Sequence, residues 1–146
     1  TTVPRHTYDL MKKNPYFTIN NISESMLERA HQCSARYEEG ESEFEAVGFE
    51  EDWKGFKKAP YVTESPIQMG CEWINEWPIE KNGCRFLVAK IHEVFIDSNL
   101  MTEDSDGFIR LDSADILCAS GMDAYYKAQF LYRRNYAQPD VEPHTL

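Results

Sequence analysis

The cysteines of this chain come without partners. Cys33, Cys71, Cys84 and Cys118 form no C-x-x-C pair and no small-scaffold spacing, which speaks against a disulfide framework or a thiolate metal site. Cys71 alternates with apolar positions and Cys33 sits at helical spacing from Ala30 and Tyr37, so reduced thiols in a cytoplasmic protein are the ordinary reading. Basic residues are also scarce, with 15 Lys and Arg against 25 Asp and Glu and a net charge of −10. Nucleic acid and anionic membrane surfaces want a basic footprint, and both are disfavoured as partners. Arg133-Arg134 among Tyr132 and Tyr136 is the one basic-aromatic cluster, read as a solvated or interface patch. No apolar run approaches a membrane span, and no signal-peptide pattern opens the chain. No Met precedes Thr1-Thr2-Val3-Pro4, so the chain is expected to be trimmed from a longer gene product.

Catalytic signatures are missing too. There is no G-x-G-x-x-G, no phosphate loop with Gly-Lys-Ser/Thr, no G-x-S-x-G elbow and no H-E-x-x-H. His6, His31, His92 and His144 are scattered, and His92 reads as a satisfied strand histidine rather than a ligand. The stretch Asp104-Ser105-Asp106-Gly107 invites a calcium loop. With Gly107 at position six, however, Thr102 and Ser113 fall where carboxylates are required, so it reads as a polar turn. Eight carboxylates and no basic residue lie between Glu38 and Asp52, and a solvated face explains such a run better than a metal site. No catalytic residue and no metal ligand is assigned.

What is present is a packed composition. The 146 residues are 42% hydrophobic and 13% aromatic, enough for one domain with a real core. Residues 7 to 13 predict a short helix stopped by Asn14-Pro15, and Tyr16 to Asn20 a strand. Ser25 with Glu28 predicts a capping box on a helix from about Glu24 to Glu38, with Met26, Ala30, Cys33 and Tyr37 along one stripe. Ser42 is expected to cap a second helix carrying Phe44 and Val47, closed by Gly48. Residues 66 to 75 alternate as a strand entered through Ser65-Pro66, and Asn82-Gly83 signals a type I′ hairpin. The return strand, 84 to 97, holds an apolar run that predicts burial on both faces near its middle. A short strand at Phe108 to Leu111, a helix from Asp112 or Ser113 through Ser120-Gly121, and an aromatic helical end complete the pattern. The fold class is mainly β with helical cover, its strands antiparallel.

One segment reads as a ligand site. In "RHTYDLM" (5 to 11) a guanidinium, a hydroxyl and the opening N–H groups of a helix together suit a phosphate. The order of the pieces then adds to this: "RHTYDLM", "FTIN" (17 to 20), "SEFEAVGF" (42 to 49), "PYVTESPIQMGC" (60 to 71), "LVAKIHEVFID" (87 to 97) and "GMDAYY" (121 to 126). This set resembles the flavin reductase-like family of FMN-binding split-barrel proteins, flavoredoxins included, over residues 5 to 126. The resemblance implies a six-stranded antiparallel split barrel, two subunits and FMN in a groove near their interface. It implies electron transfer from NAD(P)H to flavin, or an FMN carrier that serves a redox partner protein; a ligand-free structural barrel fragment is the remaining alternative. Carried over residue by residue, it gives Arg5, Thr7, Tyr8 and Asn20 as cofactor contacts, with Arg5 and Thr7 on the phosphate. Residues 1 to 146 are then one such domain without the strands that precede the R-x-T segment in family members, and Lys90 stands where an acidic residue is common.

Overall fold

The computed structural model describes residues 6–102 and 106–145. Its elements are α1 (His6–Lys13), β1 (Tyr16–Asn20), a 3₁₀ turn (Glu24–Met26) running into α2 (Leu27–Gln32), α3 (Glu43–Val47), β2 (Glu51–Asp52), β3 (Tyr61–Val62), β4 (Ile67–Ile79), β5 (Cys84–Ile96), two further 3₁₀ turns (Ser98–Leu100 and Leu111–Ala114), β6 (Leu117–Ser120) and β7 (Ala124–Lys127). The fold is mainly β with few helices, and every strand pair is antiparallel. No helix among the described residues is long and apolar enough to cross a membrane.

The first half follows the local chemistry. Pro15 ends α1, and the Pro15 carbonyl accepts the Trp73 N–H at 2.8 Å, which ties the helix exit to β4. β1 lies on β4 with Phe17 opposite Cys71 and Asn20 opposite Gln68. Gly48 caps α3 at φ +74°, a conformation that costs residues with a Cβ. The proposed side-chain caps do not form. The Ser42 carbonyl, not its hydroxyl, takes the Ala46 N–H. Ser25 falls inside the 3₁₀ turn and its hydroxyl meets that of Ser23. α2 therefore ends at Gln32, six residues short of the predicted Glu38, and Met26 is the one member of its stripe that is buried.

The β4–β5 hairpin is longer than the alternation indicated and turns differently. Four residues, Glu80 to Gly83, connect Ile79 to Cys84. Only Gly83 takes a positive φ, +68°, so the turn is not type I′, which needs two such residues. Instead the Ile79 carbonyl accepts the N–H groups of Asn82 and Gly83. The middle of β5 is also not buried on both faces: Phe86, Leu87, Ile91 and Val94 are exposed. The reason is topological, since β5 pairs only with β4 and no strand among the described residues lies on its other edge.

For the same reason the sheets of the described residues do not close into a six-stranded barrel. They form a three-stranded sheet in the order β1-β4-β5 and two ribbons, β2-β3 and β6-β7. The core gathers where these meet, around Met26, Tyr61, Ile67, Cys71, Leu100 and Ile116.

The C-terminal part departs most from the helical reading. Leu111–Ala114 is one 3₁₀ turn, closed by Asp115 at φ +50°. β6 and β7 follow as a hairpin with Ser120 opposite Ala124, in keeping with the strand preference of Tyr125 and Tyr126. Residues 108 to 111 make no strand, only the bridge between Met101 and Ile109. The segment after β7 is fixed by a layered stack. The Arg110 guanidinium lies over Phe130 at 4.5 Å, Phe130 meets Phe108 at 5.8 Å, and Arg133 covers Phe108 at 4.5 Å. Asp112 holds Arg110 and Asp106 holds Arg133, and these arginines draw both carboxyls below their ordinary value.

A carboxyl with a depressed folded pKa stabilises above its unfolded value and stops doing so as pH falls through the folded one. The stack is therefore expected intact at neutral pH and released below the ordinary value of 3.8. In NMR spectra, contacts between the Phe108 and Phe130 rings should disappear on acidification while β4–β5 cross-strand contacts persist. Simultaneous loss of both would mean global unfolding instead.

Candidate functional site

α1 carries the predicted ligand segment. Asp9 in its first turn and Lys12 and Lys13 in its last suit the helix dipole. Lys12 pairs with Asp9 at 2.6 Å, which lowers the Asp9 pKa and raises that of Lys12. A cleft of about 700 Å³ lies between this helix and the Tyr37–Glu39 stretch, lined by His6, Asp9, Lys12, Lys13, Tyr37 and Glu39. Three basic side chains thus converge in a chain whose net charge is −10. An ammonium at Lys13 and an imidazole at His6 are donors that suit an anionic phosphate, while Thr7 is not among the residues lining the cleft.

The four sequence-derived residues fare differently. Arg5 lies outside the described residues. Thr7 is exposed on α1. Tyr8 turns the other way and anchors the helix: its hydroxyl donates to both Glu76 carboxylate oxygens at 3.1 Å, and its ring packs on Trp73 at 5.6 Å. Arg85, itself paired with Glu76 at 2.9 Å, covers the same ring at 4.9 Å. Asn20 stitches strands together. Its Oδ1 accepts the Val62 N–H at 3.1 Å, and its Nδ2 donates to Thr18 Oγ1 at 2.9 Å.

Tyr8 and Asn20 are not brought together. Asn20 faces Gln68 in the register while Tyr8 packs at Glu76, a separation of roughly 27 Å along an extended strand.

Sequence reasoning missed a second cluster, on the other side of β4. Tyr61 is fully buried and donates its hydroxyl to Glu93 Oε1 at 2.7 Å; the Phe56 N–H donates to the same oxygen at 2.9 Å. Burial, then the Glu93 carboxylate, pushes the Tyr61 phenol up, so it stays a donor throughout the physiological range. Phe56 packs edge-on to Tyr16 and stacks on His92, whose Nε2 meets Glu72 Oε2 at 2.7 Å. Gly70 and Gly55 make room, since a Cβ on either would overlap Tyr61 Oη or the Glu93 carboxylate. The available signal was Glu93 itself, a lone acid within an apolar strand run.

With this geometry in place, the comparisons place the chain in a class. The model of the flavin reductase like domain matches residues 2–113. A split barrel domain protein of Shewanella frigidimarina NCIMB 400, proposed to be a flavin reductase, superposes with a TM-score of 0.85 at 37% identity, covering 92% of this chain and 67% of its own. Nitrilotriacetate monooxygenase component B from Bacillus cereus gives 0.76 at 18% identity, covering 89% and 65%. Flavoredoxin of Desulfovibrio vulgaris (Miyazaki F) gives 0.74 at 21%, covering 91% and 70%. No curated protein matches. The chain belongs to the flavin reductase like domain family, and it spans about two thirds of the length of these structures.

Proposed function

We propose that the chain binds FMN and acts as an oxidoreductase, as an NAD(P)H-dependent flavin reductase or a flavoredoxin-like electron-transfer protein. The observation that carries this is the family domain over residues 2–113, together with the 37% identical split-barrel relative. When bound, the isoalloxazine takes up a hydride and hands on electrons, and the protein supplies anchoring and orientation. On this reading Arg5 and Thr7 hold the phosphate, and Lys13 lends charge from the same helix, with His6 as a further donor. Tyr8 keeps α1 seated on β4–β5 through Glu76, while Asn20 holds the β1–β3 seam through the Val62 N–H rather than meeting the ligand at α1. The donor set of the α1 cleft fits a phosphate, and Tyr37 adds an aromatic wall.

A non-catalytic FMN carrier is the second reading; a net charge of −10 suits docking to a basic redox partner and fits this reading as well as it fits an enzyme. An absorbance spectrum of the purified protein before and after NADH tests both. A flavin band that NADH bleaches, with continued NADH oxidation when free flavin is added, is expected of the reductase. A flavin band that NADH and NADPH both leave unchanged identifies a carrier, and absence of any flavin binding rejects both. We propose a cytoplasmic location, in which cysteines without a disulfide spacing would stay reduced.

We also propose a homodimer. Trp77 and Phe86 stand opposite each other on the hairpin with ring centres 5.8 Å apart, and they are 52% and 59% exposed. Ile79 beside them is exposed as well. Aromatic anchors in such a patch are typical of interface centres. Sedimentation of wild type at micromolar concentration should give twice the chain mass, and the double variant Trp77→Glu, Phe86→Glu a monomer with unchanged circular dichroism. A wild-type monomer with flavin bound would contradict the assembly.

A further inference from the structure

The stretch leading into β4 and the end of β5 border a separate cleft of about 300 Å³, whose lining includes Lys54, Pro66, Gln68 and Phe95. Its polar groups are not equally free. The Ser65 hydroxyl is committed to the Asn21 and Ile67 carbonyls, and the Thr63 hydroxyl to that of Glu50.

Gln68 is different. It is 2% exposed, and its Nε2 donates to the Val62 carbonyl at 2.6 Å. A carbonyl can only accept, so the nitrogen must face Val62 and the amide oxygen is the end left over. That oxygen accepts no hydrogen bond among the described residues, yet no fully buried side-chain oxygen there is unsatisfied. It therefore keeps some exposure, and Gln68 is among the residues that line the cleft. Lys54 lies over the Phe95 ring at 4.8 Å and donates one N–H to Asp52 at 2.9 Å, which leaves two N–H donors.

An acceptor fixed by burial, an ammonium donor, and apolar walls from Phe95 and Pro66 are the complement of one kind of ligand. That ligand is a flat heterocycle carrying an N–H beside a carbonyl.

We propose that this cleft recognises the amide or imide edge of a planar heterocycle, with Gln68 Oε1 accepting the ligand N–H and Lys54 Nζ donating to the adjacent carbonyl. The inference rests on the proposed flavin and nicotinamide chemistry, which offers two sources of that edge: the carboxamide of nicotinamide and the pyrimidine imide of isoalloxazine.

The test is a set of calorimetric titrations on the full chain. Riboflavin is compared with 3-methylriboflavin, and nicotinamide with N,N-dimethylnicotinamide; in each pair the second compound lacks the N–H. Wild type is expected to bind the N–H-bearing member of one pair about tenfold more tightly, and that pair identifies the source. Lys54→Met keeps the apolar stem of a partly exposed side chain, and should weaken the preferred ligand about tenfold with thermal stability unchanged. Equal binding within both pairs, or unchanged affinity in Lys54→Met, overturns the proposal. Titrating FMN and adding NADH to the same wild-type sample separates this from the reading it rests on. A protein that binds FMN without discriminating either pair loses only the cleft assignment. One that binds no flavin loses the proposed function, and the nicotinamide pair still decides the cleft.

Discussion

Gly70→Ala is expected to destabilise the protein by roughly 3 kcal/mol, although it adds a single methyl group. Gly70 is buried on β4 opposite Glu93, next to a register shift between Gly70 and Cys71. A Cβ there would stand 2.3 Å from Tyr61 Oη, 2.9 Å from Phe56 Cε1 and 3.1 Å from Glu93 Cγ. None of these can give way cheaply. Tyr61 is at 0% exposure with its ring 5.4 Å from Phe95, and its hydroxyl is tied to Glu93. Moving it strands a carboxylate that retains only the Phe56 N–H, and an orphaned acceptor costs about as much as the overpacking itself.

The diagnostic is a double-mutant cycle in urea. Tyr61→Phe alone should cost about 1–3 kcal/mol, because it removes a bond to a charged group. In the Gly70→Ala background the same change removes the clashing atom, so its cost should vanish or reverse. Additive losses would mean that the close approach at Gly70 does not involve the Tyr61 hydroxyl.

These residues also show where sequence reading stops. β1 and the β4 entry were legible because proline and alternation act locally: Pro15 and Pro66 mark the entries, and Phe17, Ile19, Ile67, Met69 and Cys71 keep one period. The end of α3 was legible because Gly48 supplies a left-handed cap within one residue of the last turn. The β6–β7 hairpin was not. Leu111 to Ser120 has no strong β-former until Ile116, and the ribbon is decided by its partners, Leu117 donating to the Ile22 carbonyl and Ala128 to that of Ile116. The exposure of β5 was equally hidden, since an apolar run records a preference for burial and not the presence of something to bury against.

At the candidate site the division is the same. A basic and hydroxyl-bearing helix start could be read directly. The role of Tyr8 could not, because Glu76 is 68 residues away, nor that of Asn20, which meets Val62 across 42. Tyr61 and Glu93, 32 residues apart, carried no mutual signal at all.

Arg5→Ala is expected to weaken FMN binding by about tenfold to a hundredfold, and to leave riboflavin binding almost unchanged. The reasoning starts from charge. A phosphate dianion approaching a protein of net charge −10 needs local compensation. The carboxylates Asp9 and Glu39 on the wall of the α1 cleft sharpen that need. Lys12 is held by Asp9 at 2.6 Å, which leaves Lys13 as the other described ammonium of that wall, beside the His6 imidazole. Arg5, one residue before His6 in the sequence, would add a planar fork able to take two phosphate oxygens at once. Loss of one charge-assisted bond of this kind costs roughly 1.5–3 kcal/mol, which sets the expected range in affinity. Riboflavin has the same ring and ribityl chain and no phosphate, so it reports everything except the contact in question. Thr7→Val, which keeps the shape of the side chain and removes its hydroxyl, should weaken FMN in the same direction by about tenfold or less, again sparing riboflavin. If Arg5→Ala weakens both flavins equally, Arg5 shapes the helix start and the phosphate is held elsewhere. If it weakens neither, His6 and Lys13 suffice, and Lys13→Ala becomes the variant that separates the two ligands.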